Sequence, residues 1–218
     1  MGGTVGKGRS ILDALSSLTT PLHIVMIGLD SAGKTTALYR LKFDQYLNSV
    51  PTIGFNCENV KGTTGKSKGI SFLVWDVGGQ DKLRPLWRSY TRCTDGIVFV
   101  VDSADTERMD EAKMELRRTI NSQENNGAPI LVLANKQDLA GAKNAAYIEK
   151  HLGLDRMGPH QMYKVQPTCA IMGEGLEEGL EALYDMTLKR KKAFKGTPRA
   201  KKRRRESTLH NIKELVLR

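Results

Sequence analysis

The sequence predicts an α/β fold, a mostly parallel sheet with helices on both faces and one antiparallel hairpin. Three observations predict it. Strand-length runs such as Leu22–Ile27, Gly96–Asp102 and Pro129–Asn135 are apolar almost throughout, as strands buried on both faces must be. Amphipathic helical stretches alternate with them. Two further strand-like runs, Phe55–Val60 and Ile70–Trp75, flank Lys61-Gly-Thr-Thr-Gly-Lys-Ser-Lys-Gly69, which is turn chemistry.

Taken in order, the chain begins Gly-rich and then spaces Ile11, Leu15 and Leu18 as one helix face. Pro21 separates that face from the strand Leu22–Ile27. A Gly-rich turn leads into a helix from about Thr35 to Phe43, and the hairpin follows. After the strand Gly96–Asp102, Met109, Ala112, Leu116 and Ile120 mark a helix face, which leads to the strand Pro129–Asn135. A last helix carries Leu176, Leu180, Leu183 and Thr187 on one side.

Size and composition fit one globular core. The chain has 218 residues, 39% of them apolar and 27% charged, enough for one core and short for two. No run of about 18 apolar residues predicts a membrane-spanning helix. Met1-Gly2-Gly3-Thr4 lacks the apolar stretch of a secretory signal. Cys57, Cys93 and Cys169 are odd in number and lack zinc-site or disulfide spacing, so a reducing cytosolic or nuclear compartment is expected. The net charge of +10 is unevenly placed. Residues 189–218 hold 13 of the 34 Lys/Arg and 2 of the 24 Asp/Glu, leaving 21 against 22 in the first 188 residues. This is a nearly neutral domain with a strongly basic tail.

Gly28-Leu29-Asp30-Ser31-Ala32-Gly33-Lys34-Thr35 fits G-x-x-x-x-G-K-[ST] between a strand and a helix, the context a phosphate-binding loop requires. Its glycines let backbone N–H groups curl around phosphate oxygens. Lys34 supplies a positive charge to the β- and γ-phosphates, and the Thr35 hydroxyl is a hard oxygen ligand for Mg²⁺. Asp76-Val-Gly-Gly79-Gln80 stands at the end of a strand. Asp76 can reach the metal through water, the Gly79 N–H can donate to the γ-phosphate, and Gln80 can orient a water for attack. A Gly-Gly turn would be the simpler account if this motif stood alone.

Asn135-Lys136-Gln137-Asp138 also follows a strand. A carboxylate can accept two N–H bonds from guanine that adenine does not present, which makes Asp138 a base reader. Asn135 can bond the base and tie neighbouring loops, the Lys136 stem can lie over the ring, and the loop Thr168-Cys169-Ala170 can offer the Ala170 N–H to the guanine carbonyl. Each motif alone reads as a polar loop; four in this order, each at a strand's carboxyl end, argue against coincidence. In Pro51-Thr52-Ile53-Gly54-Phe55, Thr52 can place its hydroxyl on Mg²⁺ when the γ-phosphate is bound, though a plain Pro-Thr turn also explains it.

Gly28 to Thr36, Pro51 to Phe55, Trp75 to Gln80, Arg84-Pro-Leu-Trp87, Asn135 to Asp138 and Thr168 to Ala170 together resemble the ADP-ribosylation factor family of small GTPases over about residues 10–188. Within it, the long hairpin loop Lys61–Gly69, Ser89-Tyr-Thr-Arg-Cys-Thr-Asp95 and the basic extension look like the type 4 subgroup of ADP-ribosylation factor-like proteins. The resemblance implies a P-loop small GTPase fold with a six-stranded, mostly parallel sheet and about five helices. It implies a GTP/GDP cycle with Mg²⁺, and phosphate contacts along Gly28 to Thr36, Thr52 and Gly79. It implies guanine contacts at Asn135, Lys136, Asp138, Cys169 and Ala170. It further implies a hairpin that slides in register and expels the N-terminal amphipathic helix toward a membrane interface.

On this reading residues 1–20 hold the acylation site Gly2 and the amphipathic helix, 21–188 the GTPase domain, and 189–218 the basic tail. Gly6 departs from the Ser or Thr of the myristoylation pattern. One acyl chain anchors only marginally, so a second signal is needed. Lys189-Arg-Lys-Lys192 and Lys201-Lys-Arg-Arg-Arg205 can supply it on anionic lipid, or can serve an import receptor through 189–205. The subgroup implies plasma-membrane and nuclear or nucleolar pools beside a cytoplasmic one. Ser207–Arg218 extends beyond the subgroup's pattern, with Leu209, Ile212 and Val216 able to line a helix face.

The expected activity is a regulatory GTPase that binds effectors through the segments around Thr52 and Asp76. No arginine finger is evident in the domain, so an activating protein is expected to supply one, and an exchange factor to release GDP. The rivals are a nucleotide-shaped scaffold with incidental hydrolysis and a nuclear-import tail, and a P-loop kinase or ATPase, which Asp138 opposes. Nucleic-acid binding is disfavoured, since aromatics are 6% and none cluster in the tail.

Overall fold

The computed structural model describes residues 20–48, 50–92, 94–122, 125, 127–158 and 161–196. Gly2, the Ile11–Leu18 face, Cys93 and the tail beyond Gly196 lie outside the described residues. The elements run β1 (Leu22–Ile27), α1 (Lys34–Phe43), β2 (Phe55–Lys61), β3 (Ser71–Val77), α2 (Trp87–Tyr90), β4 (Gly96–Asp102), α3 (Met109–Ile120), β5 (Ile130–Asn135), α4 (Ala145–Leu152), β6 (Tyr163–Pro167) and α5 (Leu176–Gly196). Short 3-10 turns cover Gly65–Ser67, Asp81–Leu86 and Leu154–Arg156.

The six strands form one sheet in the order β2-β3-β1-β4-β5-β6. Only β2–β3 is antiparallel, in the register Phe55↔Val77 through Lys61↔Ser71; the other pairs are parallel. The predicted α/β architecture with one hairpin is therefore what the chain adopts.

Two apolar clusters, one on each face, hold the layers together. One packs Val25, Ile27, Ile97, Phe99, Ile130 and Val132 against Met109, Leu116, Ile148 and Leu152 from α3 and α4. The other packs Ile24, Met26, Phe72, Val98 and Leu131 against Leu38, Leu176, Leu180 and Leu183 from α1 and α5. Each fully buried side chain of this kind contributes about 1.5–3 kcal/mol of transfer free energy, so the two faces are the main driving force of the fold. All six residues of β5 are buried, which explains its continuous apolar run.

Three elements differ from what the sequence predicts. β3 continues to Val77, two residues beyond the predicted end, so Asp76 is its penultimate residue and Gly78-Gly79-Gln80 follow its carboxyl end. The 8-residue helix α4 went unread because only Ile148 and Leu152 are buried on it. Its signal was in the caps: Asn144 Oδ1 accepts the Tyr147 N–H at 2.9 Å, and Gly153 ends the helix with φ +72°. α5 runs past Leu188, so Lys189-Arg-Lys-Lys192 rides on a helix. There Arg190 donates to the Thr94 carbonyl at 3.2 Å and Lys191 pairs with Asp95 at 2.9 Å.

Candidate nucleotide site

The parallel strands β1, β3, β4, β5 and β6 point their carboxyl ends to one side of the sheet, and the motifs at Gly28–Thr35, Asp76–Gln80, Asn135–Asp138 and Thr168–Ala170 emerge there. The turn after β1 must pass under β4. Gly28 has φ +146°, and any Cβ there would run into the Val100 carbonyl, so only glycine fits. Gly79 is equally constrained, because a Cβ would collide with the backbone of Gly28 to Asp30. The segment after β3 therefore lies directly on the phosphate loop.

Between them is a cavity of about 250 Å³ lined by Asp30, Ser31, Gly33, Lys34, Thr35, Thr36, Pro51, Thr52, Gly79 and Gln80. The Thr35 hydroxyl donates to Asp76 Oδ2 at 2.6 Å and lies 2.9 Å from the Thr52 hydroxyl. Residues 17 and 41 positions apart thus converge at one point. Buried Asp76 keeps its other oxygen, Oδ1, without a hydrogen-bond partner among the described residues. Burial pushes its carboxyl above the usual carboxylate range, while the Thr35 hydroxyl, the Lys34 charge and the Thr52 hydroxyl oppose that shift.

The Lys34 ammonium bends back onto the carbonyls of Gly28 and Leu29 at 2.9 and 2.7 Å. Burial lowers it to about 8, with Asp76 and Asp30 pulling it back up. A buried cation and a half-satisfied buried carboxylate beside two hydroxyls fit a phosphate chain and a hard divalent cation. Lys34 and the loop N–H groups would hold the phosphates; Thr35 and Thr52, with Asp76 behind them, would face the Mg²⁺.

Of the residues expected to read a base, Asn135 joins the loop at Thr168–Ala170 to the phosphate loop. Its Nδ2 donates to the Ala32 carbonyl at 2.9 Å, and its Oδ1 accepts from Ala170 N–H at 3.0 Å and from the Thr168 hydroxyl at 3.3 Å. A base carbonyl at Ala170 would therefore meet a donor already in use. The Lys136 ammonium pairs with Asp102 at 2.6 Å, which fixes its stem. The Cys169 thiol donates to Asp138 Oδ1 at 3.2 Å, and burial first, then Asp138, pushes that thiol up.

Two arginines also reach the phosphate loop: Arg84, quoted above only as part of a family motif, and Arg108, which no sequence motif marks. Arg84 lies 3.6 Å from Asp30, pairs with Asp81 and Glu111 at 2.5 and 2.7 Å, and donates to the Gly79 carbonyl at 2.8 Å. Arg108 pairs with Asp30 at 3.1 Å and with Asp105 at 2.7 Å. Both guanidiniums are committed to carboxylates. Phe55, Trp75 and Tyr90 form an aromatic cluster with centroids 5.1 to 6.0 Å apart, and Val50 and Ile53, in the loop before β2, are strongly exposed.

The ADP-ribosylation factor family model matches residues 9–187. ADP-ribosylation factor-like protein 4C of Homo sapiens is 60% identical over 191 residues, covering 88% of this chain and 97% of that protein. The 4A protein of Mus musculus is 55% identical over 195 residues, covering 89% and 97%. The 4D protein of Mus musculus is 59% identical over 184 residues, covering 84% and 90%. Among solved structures, the Arl6 BBS3 small GTPase of Trypanosoma brucei with the bound nucleotide analogue GppNp aligns with a TM-score of 0.69 at 32% identity. That alignment covers 78% of this chain and 99% of that one.

Proposed function

Because this chain belongs to the ADP-ribosylation factor family, whose members bind and hydrolyse GTP with Mg²⁺, we propose that its GTP state recruits effectors to an anionic membrane. The observation that carries the switch is the convergence of Thr35, Thr52 and Asp76. The loop around Thr52 reaches the phosphate site through its hydroxyl, 2.9 Å from that of Thr35, and through the Gly54 carbonyl, which accepts the Gly78 N–H at 2.9 Å. When bound, Mg²⁺ and the γ-phosphate supply the charge that keeps that hydroxyl in place. After hydrolysis the Thr52 loop loses its reason to stay.

Within this reading each residue has a task. The backbone from Gly28 to Thr36 wraps the phosphates. Lys34 gives up its two carbonyl partners for phosphate oxygens, Gly79 donates its N–H to the γ-phosphate, and Gln80 orients the attacking water. Asn135, Lys136, Asp138, Cys169 and Ala170 hold guanine. Effectors read the exposed apolar surface of Val50, Ile53 and Phe55 with the Trp75–Tyr90 cluster behind it. An activating protein and an exchange factor drive the cycle, as family members generally require.

The anchor is in two parts: acylated Gly2 with the apolar face of Ile11, Leu15 and Leu18, and the basic residues of the tail on anionic lipid. The protein is then cytoplasmic and peripheral on the plasma membrane or another anionic membrane. A nuclear or nucleolar pool is served by an import receptor reading 189–205. Liposome co-sedimentation of the acylated full chain tests this. Binding that requires both a non-hydrolysable GTP analogue and anionic lipid, and falls when Lys201 to Arg205 are changed to alanine, is the expected result. Equal binding in the GDP state would overturn the switch. Binding unchanged by the alanine tail would move the tail's role to import.

A further inference from the structure

We propose that a second cavity, between α3 and α4, is a binding site for a small anion carrying two or more phosphate groups. Its volume is about 410 Å³, and Lys113, Arg117, Tyr147, Lys150, His151 and Arg156 line it. It is separate from the nucleotide site. α3 and α4 are crossovers between parallel strands, so each runs back across the sheet, and their C-terminal ends lie opposite the phosphate loop.

Four fixed positive charges face this hollow. Among the described residues, none of Lys113, Arg117, Lys150 and Arg156 has a carboxylate within ion-pair distance, whereas Lys42, Lys66, Arg84, Arg108, Arg118 and Lys136 all do. The lining residue His151 is bonded to Asp110 at 3.0 Å, and none of the lining residues is an acid. Arg117 and Lys150 sit in the last turns of their helices, where the helix dipole favours a cation without any ligand. That account does not reach Lys113, in the middle of α3, or Arg156, in a three-residue turn too short to carry a dipole of consequence.

The hollow also has a floor and a fixed wall. Tyr147 and His151 stack at 5.6 Å with an interplanar angle of 19°, and Lys143 lies 5.6 Å from the Tyr147 ring centroid. Gly153 lets the Arg117 guanidinium approach, since a Cβ there would stand 2.9 Å from its Nη2. Like charges lining one concavity repel each other and focus the field on its centre, a cost that a polyanion removes. A compact phosphorylated ring meets this geometry, since its phosphates reach the cations on several sides.

The ligand's phosphates can come from a lipid headgroup or from a soluble inositol phosphate, and two arms of one experiment separate them. The isotope-labelled full chain, loaded with GDP and Mg²⁺ so that the nucleotide site is filled, is titrated with inositol trisphosphate while amide resonances are followed. Saturable shifts of the Tyr147 and Gly153 amides are expected. Arg117→Ala with Lys150→Ala should weaken them about tenfold, and Arg117→Lys with Lys150→Arg should restore them. Alanines at Lys201 to Arg205 should leave them unchanged. Shifts confined to the basic tail, or equal affinity in the alanine pair, would overturn the proposal. In the second arm, vesicles with and without phosphatidylinositol bisphosphate are floated with the same variants. A loss in the alanine pair identifies a headgroup, whereas a loss seen only with the soluble probe identifies a free phosphate.

Discussion

The Lys66 amide at the tip of the β2–β3 hairpin donates to Glu181 of α5 at 2.9 Å, tying two segments 115 residues apart. Glu177 accepts the Thr63 amide at 3.1 Å, and Asp185 takes the Lys66 ammonium at 2.9 Å. These three carboxylates are spaced i, i+4, i+8, on one stripe of the helix. Glu177→Ala with Glu181→Ala should strip the Thr63 and Lys66 amides of hydrogen-exchange protection. The melting temperature should barely move, because both ends of each bond are exposed. Retained protection would show that the tip is held by something other than α5.

Asn135→Ala removes the side chain that joins the Ala32 carbonyl, the Thr168 hydroxyl and the Ala170 amide. It leaves buried polar groups unpaired, so a loss of about 3 kcal/mol of stability is expected. GDP should dissociate faster in the same variant. Chemical denaturation and release of a fluorescent GDP measure the two effects; stability loss with unchanged release would confine Asn135 to the scaffold.

Lys34 gives a pH dependence with a definite sign. Unfolded, it titrates near 10.5; folded and without nucleotide, burial brings it to about 8. Below pH 8 both states are charged and the folded state bears the full penalty, on the order of 3 kcal/mol. From 8 to 10.5 only the unfolded state stays protonated, so this group's contribution to stability rises with pH. Denaturation of nucleotide-free protein should show that rise, and Lys34→Met should lack it. Parallel curves for the two proteins would contradict the assignment.

Gln80→Leu keeps the cavity lining but removes the amide that would hold a water. Single-turnover phosphate release should slow by at least about a hundredfold, with GTP affinity unchanged. Normal turnover would remove Gln80 from the chemistry.

The phosphate loop was legible because its task dictates local spacing: Gly28, Gly33, Lys34 and Thr35 must follow one another on one turn. The convergence of Thr35, Thr52 and Asp76 was legible only as three separate hints, each with a plain-turn explanation. The ion pairs of Asp30 with Arg84 and Arg108 were not legible. Asp30 and Arg108 are 78 residues apart, and nothing in their spacing reports that the fold brings them together. Nor did the basic cavity show, since Lys113 and Arg117 come from α3 and Lys150 and Arg156 from beyond β5, and no local spacing joins them. Helix α4 was hidden because two buried residues in eight make a weak period.

One amide side chain, Asn135, ties the phosphate loop at Ala32 to the Thr168–Ala170 loop proposed to read the base. On that proposal the two halves of a guanine nucleotide are grasped as if by a single hinged hand. Each half, once seated, holds the other at a high local concentration. Guanosine and a free triphosphate offered together should bind far more weakly than the intact molecule, and a nucleotide leaving the site should do so by first loosening either grip.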